Sequence, residues 1–459
     1  MIVSKGPLLA VLRSKRLAYG LVACFVVAAC VLNYPGHLSL DSLIQLNEGR
    51  SGRFASMNPP FASALLGLFD RIHEGAGLQM LFDIGLLALA LIVMLRALPR
   101  TSALSNLLLL GFLASPVTLI YSGIIWKDVL FGHVELLAFA LLMSAERRVR
   151  RWKMATIVVL LAAASQIRPQ GVIVALVACL AFAWLPPRAG VRSVTTKAGL
   201  AFALFGATVV VSLLLSTFVT QKTERTIGIA YSNAAPVLML YDIAGIVKRV
   251  PDLDLSLLGE AGTDVPLLKQ RILVQYTPQR MDPLDLYAAL PDSEHLYSPL
   301  VRQWLQAIST NPGAYLAHRL DVFGWQLGLH DPARCLPVHV GIDNSDPRLL
   351  AALNLRKAAS RFSGVLWNYA SAMFATPVFR GITYAAILGA SLLLLARAGF
   401  RRHVAATSLA IAALLFALSY VVVGIACDVR YLYFTLTAAM FCAVYATAQP
   451  WDRKKSNPE

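Results

Sequence analysis

Apolar runs of membrane-spanning length dominate the pattern along the chain. A helix needs roughly 20 predominantly apolar residues to cross a bilayer, and several runs approach that length. We predict ten spans, near residues 17–34, 77–98, 103–122, 128–145, 154–167, 170–186, 198–219, 378–396, 404–425 and 431–448. The pattern therefore indicates an all-α polytopic membrane protein with about ten transmembrane helices.

The basic residues between these runs predict the orientation, because Lys and Arg accumulate in the cytoplasmic loops of membrane proteins. With the N-terminus inside, the cytoplasmic loops and tails hold 20 bases against three acids. These bases lie within residues 5–16, 96–100, 147–153, 188–197, 397–402 and 453–455. The alternation holds from end to end and predicts that both termini are cytoplasmic.

Residues 60–72 test this assignment, since they are apolar but too short to cross a bilayer. A span there would invert every later loop and move the 147–153 cluster outside. We predict an interfacial helix on the outer membrane face. Half of a re-entrant hairpin is the alternative.

Three regions follow from the spans. Residues 1–219 form a membrane core of seven spans with a first outer loop at 35–76. Residues 220–377 form a mainly helical soluble domain on the outer side, with 14 bases and 14 acids. Within that domain, Asn311 followed by Pro312 predicts a helix start, and residues 251–295 are expected to be loops. Residues 378–459 add three spans and a cytoplasmic tail.

Composition agrees with this picture. Apolar residues make up 57% of the 459 and charged residues 14%, whereas soluble domains carry about 25% charged residues. This excludes an ordinary soluble enzyme. The net charge of +16 follows from the cytoplasmic loops and suits anionic inner-leaflet lipid. It therefore gives no support for a nucleic-acid partner.

Ionisable residues from four separate outer loops form the candidate site. Asp41 lies in the first loop, Lys127 and Asp128 precede the fourth span, Arg168 joins the fifth and sixth, and Asp428 and Arg430 join the ninth and tenth. Ionisable groups at membrane depth are costly and are functional candidates by default. Their coincidence on one face predicts a common site.

Each residue also has a purely structural interpretation. Asp41 and Asp128 could cap helices, Lys127 could reach the interface as a helix-end residue, and Arg168 could simply precede a helix end. Asp428 and Arg430 could form a local ion pair. Deeper in the spans lie Asp83, His133 and Glu135. The last two face different sides of a helix, so a shared metal is not expected, and His133 is expected to be a satisfied buried group.

The residue types suit chemistry on a lipid phosphate. Arg and Lys bind phosphate oxygens through charge-assisted hydrogen bonds and stabilise negative charge on a phosphate leaving group. A nearby carboxylate can take a proton from an acceptor hydroxyl. Sugar transfer from a polyprenyl phosphate needs both functions.

With these residues, the chain resembles the GT-C superfamily of integral membrane glycosyltransferases. In that superfamily the first outer loop carries an acid, interfacial helices and a polar-Pro-Pro element. The matching residues are Tyr34-Pro-Gly-His-Leu-Ser-Leu-Asp41-Ser42, Gln45, Asn58-Pro59-Pro60, Trp126-Lys127-Asp128, Arg168-Pro-Gln-Gly and Arg430-Tyr431. The likeness covers the membrane region and hardly reaches residues 220–377. Asn58 stands where related bacterial sequences often carry His or Asp.

The resemblance implies inverting transfer of a sugar from an undecaprenyl-phosphate carrier, on the periplasmic side of a bacterial inner membrane. Asp41 would be the general base, and Asp128 would orient Lys127 or the acceptor. Lys127, Arg168 and Arg430 would hold the carrier phosphate. The acceptor would be a glycan, lipid or protein. Phosphate binding by Arg and Lys needs no metal, but an acidic site could bind a divalent metal ion, so no cofactor is assigned.

Two other functions remain as alternatives. An O-antigen polymerase or ligase would depend on the large outer region, where Arg302, His318, Arg319 and His330 are candidates. A transporter or flippase would place charges near the bilayer midplane, where these spans carry almost none. Separately, Cys335 and Cys427 are both expected outside, where disulfides persist, and could form a bond beside Arg430.

Overall fold

The computed structural model describes residues 7–54, 58–145, 151–185, 193–220, 234–284, 297–355 and 361–449. Within these ranges the chain is helical, with isolated β-bridges and no strand. The all-α polytopic membrane fold predicted from the sequence is confirmed.

The helices fall into three consecutive groups. The first eleven are α1 Pro7–Leu12, α2 Lys15–Asn33, α3 Leu40–Ser51, α4 Pro60–Ile72, α5 Gly77–Ala97, α6 Ala103–Ala114, α7 Pro116–Leu119, α8 Lys127–Ala145, α9 Arg151–Ile167, α10 Gly171–Trp184 and α11 Val194–Thr220. The middle group is α12 Ala234–Val247, α13 Ser256–Glu260, α14 Val265–Gln275, α15 Tyr297–Thr310, α16 Pro312–Gln326, α17 Pro347–Ala352 and α18 Ser363–Ser371. The last is α19 Gly381–Ala398, α20 Val404–Val423 and α21 Tyr433–Thr447, preceded by a 3-10 turn over Val429–Leu432.

A helical segment lies at each of the ten predicted spans, but they differ in length. In the described part of the chain, seven helices are long and apolar enough to cross a membrane. The predicted span at 103–122 is broken, because Pro116 starts a new helix and the two parts are bent by 61°. Helices α9 and α10 have only 17 and 14 residues, or about 26 and 21 Å of helix. The two helices joined by the turn at Arg168 are therefore each shorter than a full membrane span.

Helix α8 lies at the centre of the bundle and is buried along almost its whole length. It packs between α5, α9 and α21. Gly132 permits the close approach of α21, since a Cβ there would lie 2.8 Å from the Tyr433 ring. The first residues of α8, Lys127 and Asp128, are thereby held in the middle of one end of the bundle, which we call the site end.

Two helices of the first loop cross at a pair of glycines. Helix α4 coincides with the predicted helix at 60–72, and its position at the membrane surface stays a prediction. A Cβ on Gly67 would lie 2.5 Å from the backbone of Gly49 in α3. Arg50 and Asp70 join the same two helices through an ion pair of 2.7 Å. The crossing ties α3, which carries Asp41, to α4.

The region at 220–377 divides by packing. Residues from Val237 to Val322 build an apolar core of their own, whereas Val338, Leu350 and Leu366 pack on the membrane helices. The helix start at Asn311-Pro312 is confirmed by α16. The expectation of loops throughout 251–295 is wrong for α13 and α14. At α14, Asp264 caps the helix and Pro266 lies in its first turn, so Asp and Pro there begin a helix. Residues 285–290 and 291–296 lie outside the described residues.

Candidate functional site

Asp41 lies in the first turn of α3, and its neighbours fix that turn against α8. Ser39 is the N-cap, so the capping role considered for Asp41 belongs to Ser39. Ser42 Oγ donates to the Ile125 carbonyl at 2.6 Å, and Trp126 Nε1 donates to Ser39 Oγ at 2.9 Å. These bonds hold the start of α3 beside the start of α8.

Segment 339–343 holds the start of α3 from a second side. Leu38 N–H donates to the Gly341 carbonyl at 2.9 Å, and Asp343 N–H donates to the Leu38 carbonyl at 2.8 Å. His37 Nδ1 accepts from Gly341 N–H at 3.0 Å. Burial lowers the pKa of His37 to about 4, so the imidazole is neutral and can accept this bond at neutral pH. Asp41 thus projects from a turn that is fixed on both sides.

Arg430 meets Asp41 directly. Its Nη2 lies 2.6 Å from Asp41 Oδ2, and its Nε lies 3.2 Å from Asp428 Oδ2. The guanidinium stacks over Trp126 at 5.0 Å from the ring centroid and over Tyr431 at 5.3 Å. Stacking on aromatic faces leaves the edges of a guanidinium for anions, and here two carboxylates bind there.

The charge on Asp41 is set by these neighbours. Burial would raise the pKa of this carboxyl, but Arg430 and Lys127 outweigh burial, and the pKa lies below its usual range. Asp41 is therefore ionised at neutral pH. An ionised carboxylate has the protonation state that a general base requires.

Asp128 and Arg168 form a second, more deeply buried ion pair. Their side chains are 2% and 7% exposed. Arg168 also donates to the Tyr420 hydroxyl and lies 5.3 Å from the centroid of the Tyr431 ring. Asp128 is predicted to orient Lys127 or the acceptor, whereas its observed ion-pair partner is Arg168, on a different element.

Lys127 is held by neutral amides. Its Nζ donates to Asn58 Oδ1 at 2.9 Å, and Gln45 Nε2 donates to the same oxygen at 3.1 Å. The polar residue of the Asn-Pro-Pro element thereby orients the ammonium without neutralising it.

The structure thus brings together the five residues with a predicted role in catalysis or phosphate binding. Tyr431 contacts two of them, because the Arg168 and Arg430 guanidinium groups each lie 5.3 Å from its ring centroid. Tyr420 stacks on Tyr431 at 6.1 Å. Tyr420 was not predicted, since a tyrosine near the end of an apolar run carries no signal of its contacts. Asn58 was predicted as part of the Asn-Pro-Pro element and as a departure from its usual His or Asp, but its contact with Lys127 depends on the fold.

The deeper ionisable residues have separate surroundings. His133 Nε2 contacts the Tyr433 hydroxyl at 2.7 Å, whereas its Nδ1 is buried without a hydrogen-bond partner among the described residues, so the expected satisfied buried group is found at one ring nitrogen. Gln79 Nε2 donates to Asp83 Oδ1 at 3.1 Å. Glu135 is fully buried in the bundle. Across the described residues, no three or more His, Cys, Asp or Glu side chains are placed to hold a metal ion.

The four candidates for a polymerase or ligase site differ in exposure. His318 and Arg319 are buried against Asp242 in the core of residues 220–377, which we call the middle region, with exposures of 0% and 1%. Arg302 is exposed on α15, and His330 stacks on Trp325 at 4.3 Å. Two of the four are therefore inaccessible to a substrate.

Comparisons with known proteins found distant structural likenesses alone. No protein family and no curated protein matches the chain. One similar solved structure is the archaeal oligosaccharyltransferase AglB from Archaeoglobus fulgidus in complex with an inhibitory peptide and a dolichol-phosphate. It has 12% identity and a TM-score of 0.38, over 93% of this chain and 49% of AglB.

A second similar structure is ArnT from Cupriavidus metallidurans bound to undecaprenyl phosphate. It has 14% identity and a TM-score of 0.34, over 93% of this chain and 77% of ArnT. This chain spans about half the length of AglB. Likenesses of this size do not assign an activity.

Proposed function

We propose that the chain is a multi-pass membrane glycosyltransferase that moves a sugar from a polyprenyl-phosphate carrier to an acceptor. The carrier would be undecaprenyl phosphate, and the acceptor an envelope glycan, a lipid or a protein. The site would face the periplasm from a bacterial inner membrane, with both termini cytoplasmic.

One observation carries the proposal: three cations and an ionised carboxylate from four elements converge at one end of the bundle. Arg430 contacts Asp41 at 2.6 Å. Arg168 and Arg430 both contact the ring of Tyr431. Lys127 directly follows Trp126, whose ring contacts the Arg430 guanidinium. Arranged in this way, cations can hold a phosphate that carries a lipid chain, while the carboxylate serves a hydroxyl acceptor.

The reaction would be a single displacement at the anomeric carbon. The acceptor oxygen forms the new bond to that carbon while Asp41 takes the hydroxyl proton. The bond from the anomeric carbon to the phosphate oxygen breaks, and its electron pair leaves with the polyprenyl phosphate. Lys127, Arg168 and Arg430 stabilise the added negative charge. Attack opposite the leaving group inverts the configuration.

Asp128 would act through Arg168. Its carboxylate is buried and paired with that guanidinium, so it orients one arm of the phosphate clamp. Lys127 depends in the same way on Asn58 and Gln45. The role of Asp128 is then that of a positioning residue.

The proposal is tested by comparing cell-envelope glycans, by mass spectrometry, between the source strain and a strain that lacks the gene. The deletion strain is expected to lose one sugar substituent. The wild-type gene should restore this substituent, and the Asp41→Asn and Lys127→Ala variants should not. An unchanged glycan profile, or full restoration by both variants, contradicts the proposal.

A further inference from the structure

Segment 424–428 joins the end of α20 to the 3-10 turn that carries Arg430, and it is held by residues of the middle region. Cys427 forms a disulfide with Cys335, which confirms the bond considered from the sequence. Met281 N–H donates to the Ile425 carbonyl at 3.0 Å, and Cys427 N–H donates to the Gln279 carbonyl at 2.8 Å. Residues 279–281 thus pair with 425–427 along the backbone.

Side-chain contacts connect this backbone pairing to Arg430. Asp428 Oδ1 lies 3.8 Å from Arg280 Nη2, and Asp428 Oδ2 lies 3.2 Å from Arg430 Nε. One carboxylate therefore connects an arginine of the middle region to the arginine of the site. Arg430 is only 11% exposed, so its position depends on such neighbours.

The start of the segment is anchored from the core of the middle region. Arg319 Nη1 donates to the Gly424 carbonyl at 2.7 Å. Arg319 is also paired with Asp242, which accepts a bond from Trp304 Nε1 at 2.8 Å. The buried Arg319 guanidinium, which is also held by Asp242, therefore holds Gly424 in place.

From these contacts we propose that the middle region is a brace that positions Arg430 for the anionic carrier, with Arg280 as a positioning residue that acts through Asp428. The inference rests on the proposed function. Arg430 is the one cation of the three whose backbone is carried by this segment. The turn of α3 that carries Asp41 is held by α8 and by segment 339–343, whereas the residues that hold segment 424–428 are Arg280, Arg319 and Cys335. The brace formed by these three residues should therefore control carrier affinity through Arg430.

The test uses the full-length protein in nanodiscs with undecaprenyl phosphate as the probe, and binding is followed by native mass spectrometry. Arg280→Ala should weaken binding by about fivefold, the size expected for loss of a half-exposed ion pair. The double variant Cys335→Ser, Cys427→Ser should weaken binding by a similar or larger factor, and Arg280→Lys should restore most of the binding that Arg280→Ala loses.

Two variants serve as controls. Arg302→Ala, which removes an exposed arginine on α15, is matched to Arg280→Ala. Cys24→Ser, at an exposed free cysteine, controls for loss of a thiol.

A double-mutant cycle separates positioning from general destabilisation. If Arg280 acts through Arg430, Arg280→Ala should cause no additional loss of binding in the Arg430→Ala background. An equal loss in both backgrounds, or wild-type binding in Arg280→Ala and in the double serine variant, overturns the brace alone. Absence of binding by the wild-type protein overturns the proposed function and the brace with it.

Discussion

At the scale of single residues, the Asp41–Arg430 ion pair determines the charge and the contacts of both side chains before the substrate binds. The 2.6 Å contact holds the carboxylate ionised and occupies one edge of the guanidinium. In the proposed reaction, a phosphate competes with Asp41 for those donors. Binding of the carrier would then free the carboxylate and raise its basicity at the moment when it is needed.

Removing the proton acceptor should separate chemistry from binding. Asp41→Asn keeps the shape of the side chain but cannot take a proton, so sugar transfer should fall by about 10²-fold or more. Carrier binding should be kept or strengthened, because Arg430 loses a competing anion. Transfer and undecaprenyl phosphate binding are measured on the same nanodisc preparation, with the exposed Asp252→Asn as the control. Transfer at the wild-type rate in Asp41→Asn would exclude Asp41 as the base.

The pH dependence of Asp41 gives a second test, because Lys127 and Arg430 lower its pKa against the effect of burial. A carboxylate with a lowered pKa remains ionised until the pH falls through that value. Lys127→Ala removes one of the two cations, so the acid limb of the kcat/KM profile should move to higher pH. The profile is normalised to its plateau to separate this shift from weaker binding. A limb that stays in place, or moves to lower pH, contradicts the assignment.

At the scale of elements, the site depends on how short helices are packed. Helix α8 is central and supplies Lys127 and Asp128, while the hairpin of α9 and α10 supplies Arg168. The first-loop helices α3 and α4 approach each other at Gly49 and Gly67, where there is no room for a side chain. The position of Asp41 therefore depends on a crossing that lies eight residues further along α3.

A methyl group at this crossing should be destabilising. In Gly67→Ala, the added Cβ would lie 2.5 Å from the Gly49 backbone, and overpacking of this kind costs about 1–3 kcal/mol. The melting temperature in detergent and the rate of transfer should both fall. Gly85→Ala is the matched control, since a Cβ at Gly85 has nothing within 4 Å. Equal melting temperatures for the two variants would contradict the crossing.

At the scale of the whole molecule, charge determines orientation and the fold determines the site. The 20 bases assigned to cytoplasmic loops and tails account for the net charge of +16, since residues 220–377 are neutral. Many of those bases, including 147–150, Arg188, Arg192 and 453–455, lie outside the described residues. Orientation is therefore a prediction that rests on the sequence.

Reporter fusions test this orientation. Green fluorescent protein fused after residue 459 should fluoresce, because the C-terminus is expected in the cytoplasm. Alkaline phosphatase fused after residue 330 should be active, because it folds only in the periplasm and the middle region is expected there. The opposite pair of signals would place the candidate site on the cytoplasmic side and exclude a periplasmic reaction.

The sequence by itself determined what depends on composition and period. Apolar runs must be buried in lipid, so they mark the spans. The bases of short loops predict orientation. Sorting ionisable residues by loop selected Asp41, Lys127, Asp128, Arg168, Asp428 and Arg430. The chemistry of Arg, Lys and Asp at a membrane surface then pointed to a lipid phosphate.

The tertiary structure alone decided which of these residues are partners. Asp41 meets Arg430 across 389 residues of sequence and Asp128 meets Arg168 across 40, because helix packing sets those distances and local periodicity does not. The hydrogen bond from Lys127 to Asn58 and the ion pair of Arg280 with Asp428 arise in the same way. A sequence records which charges exist, but a buried charge acquires its role from the side chain that packing places beside it.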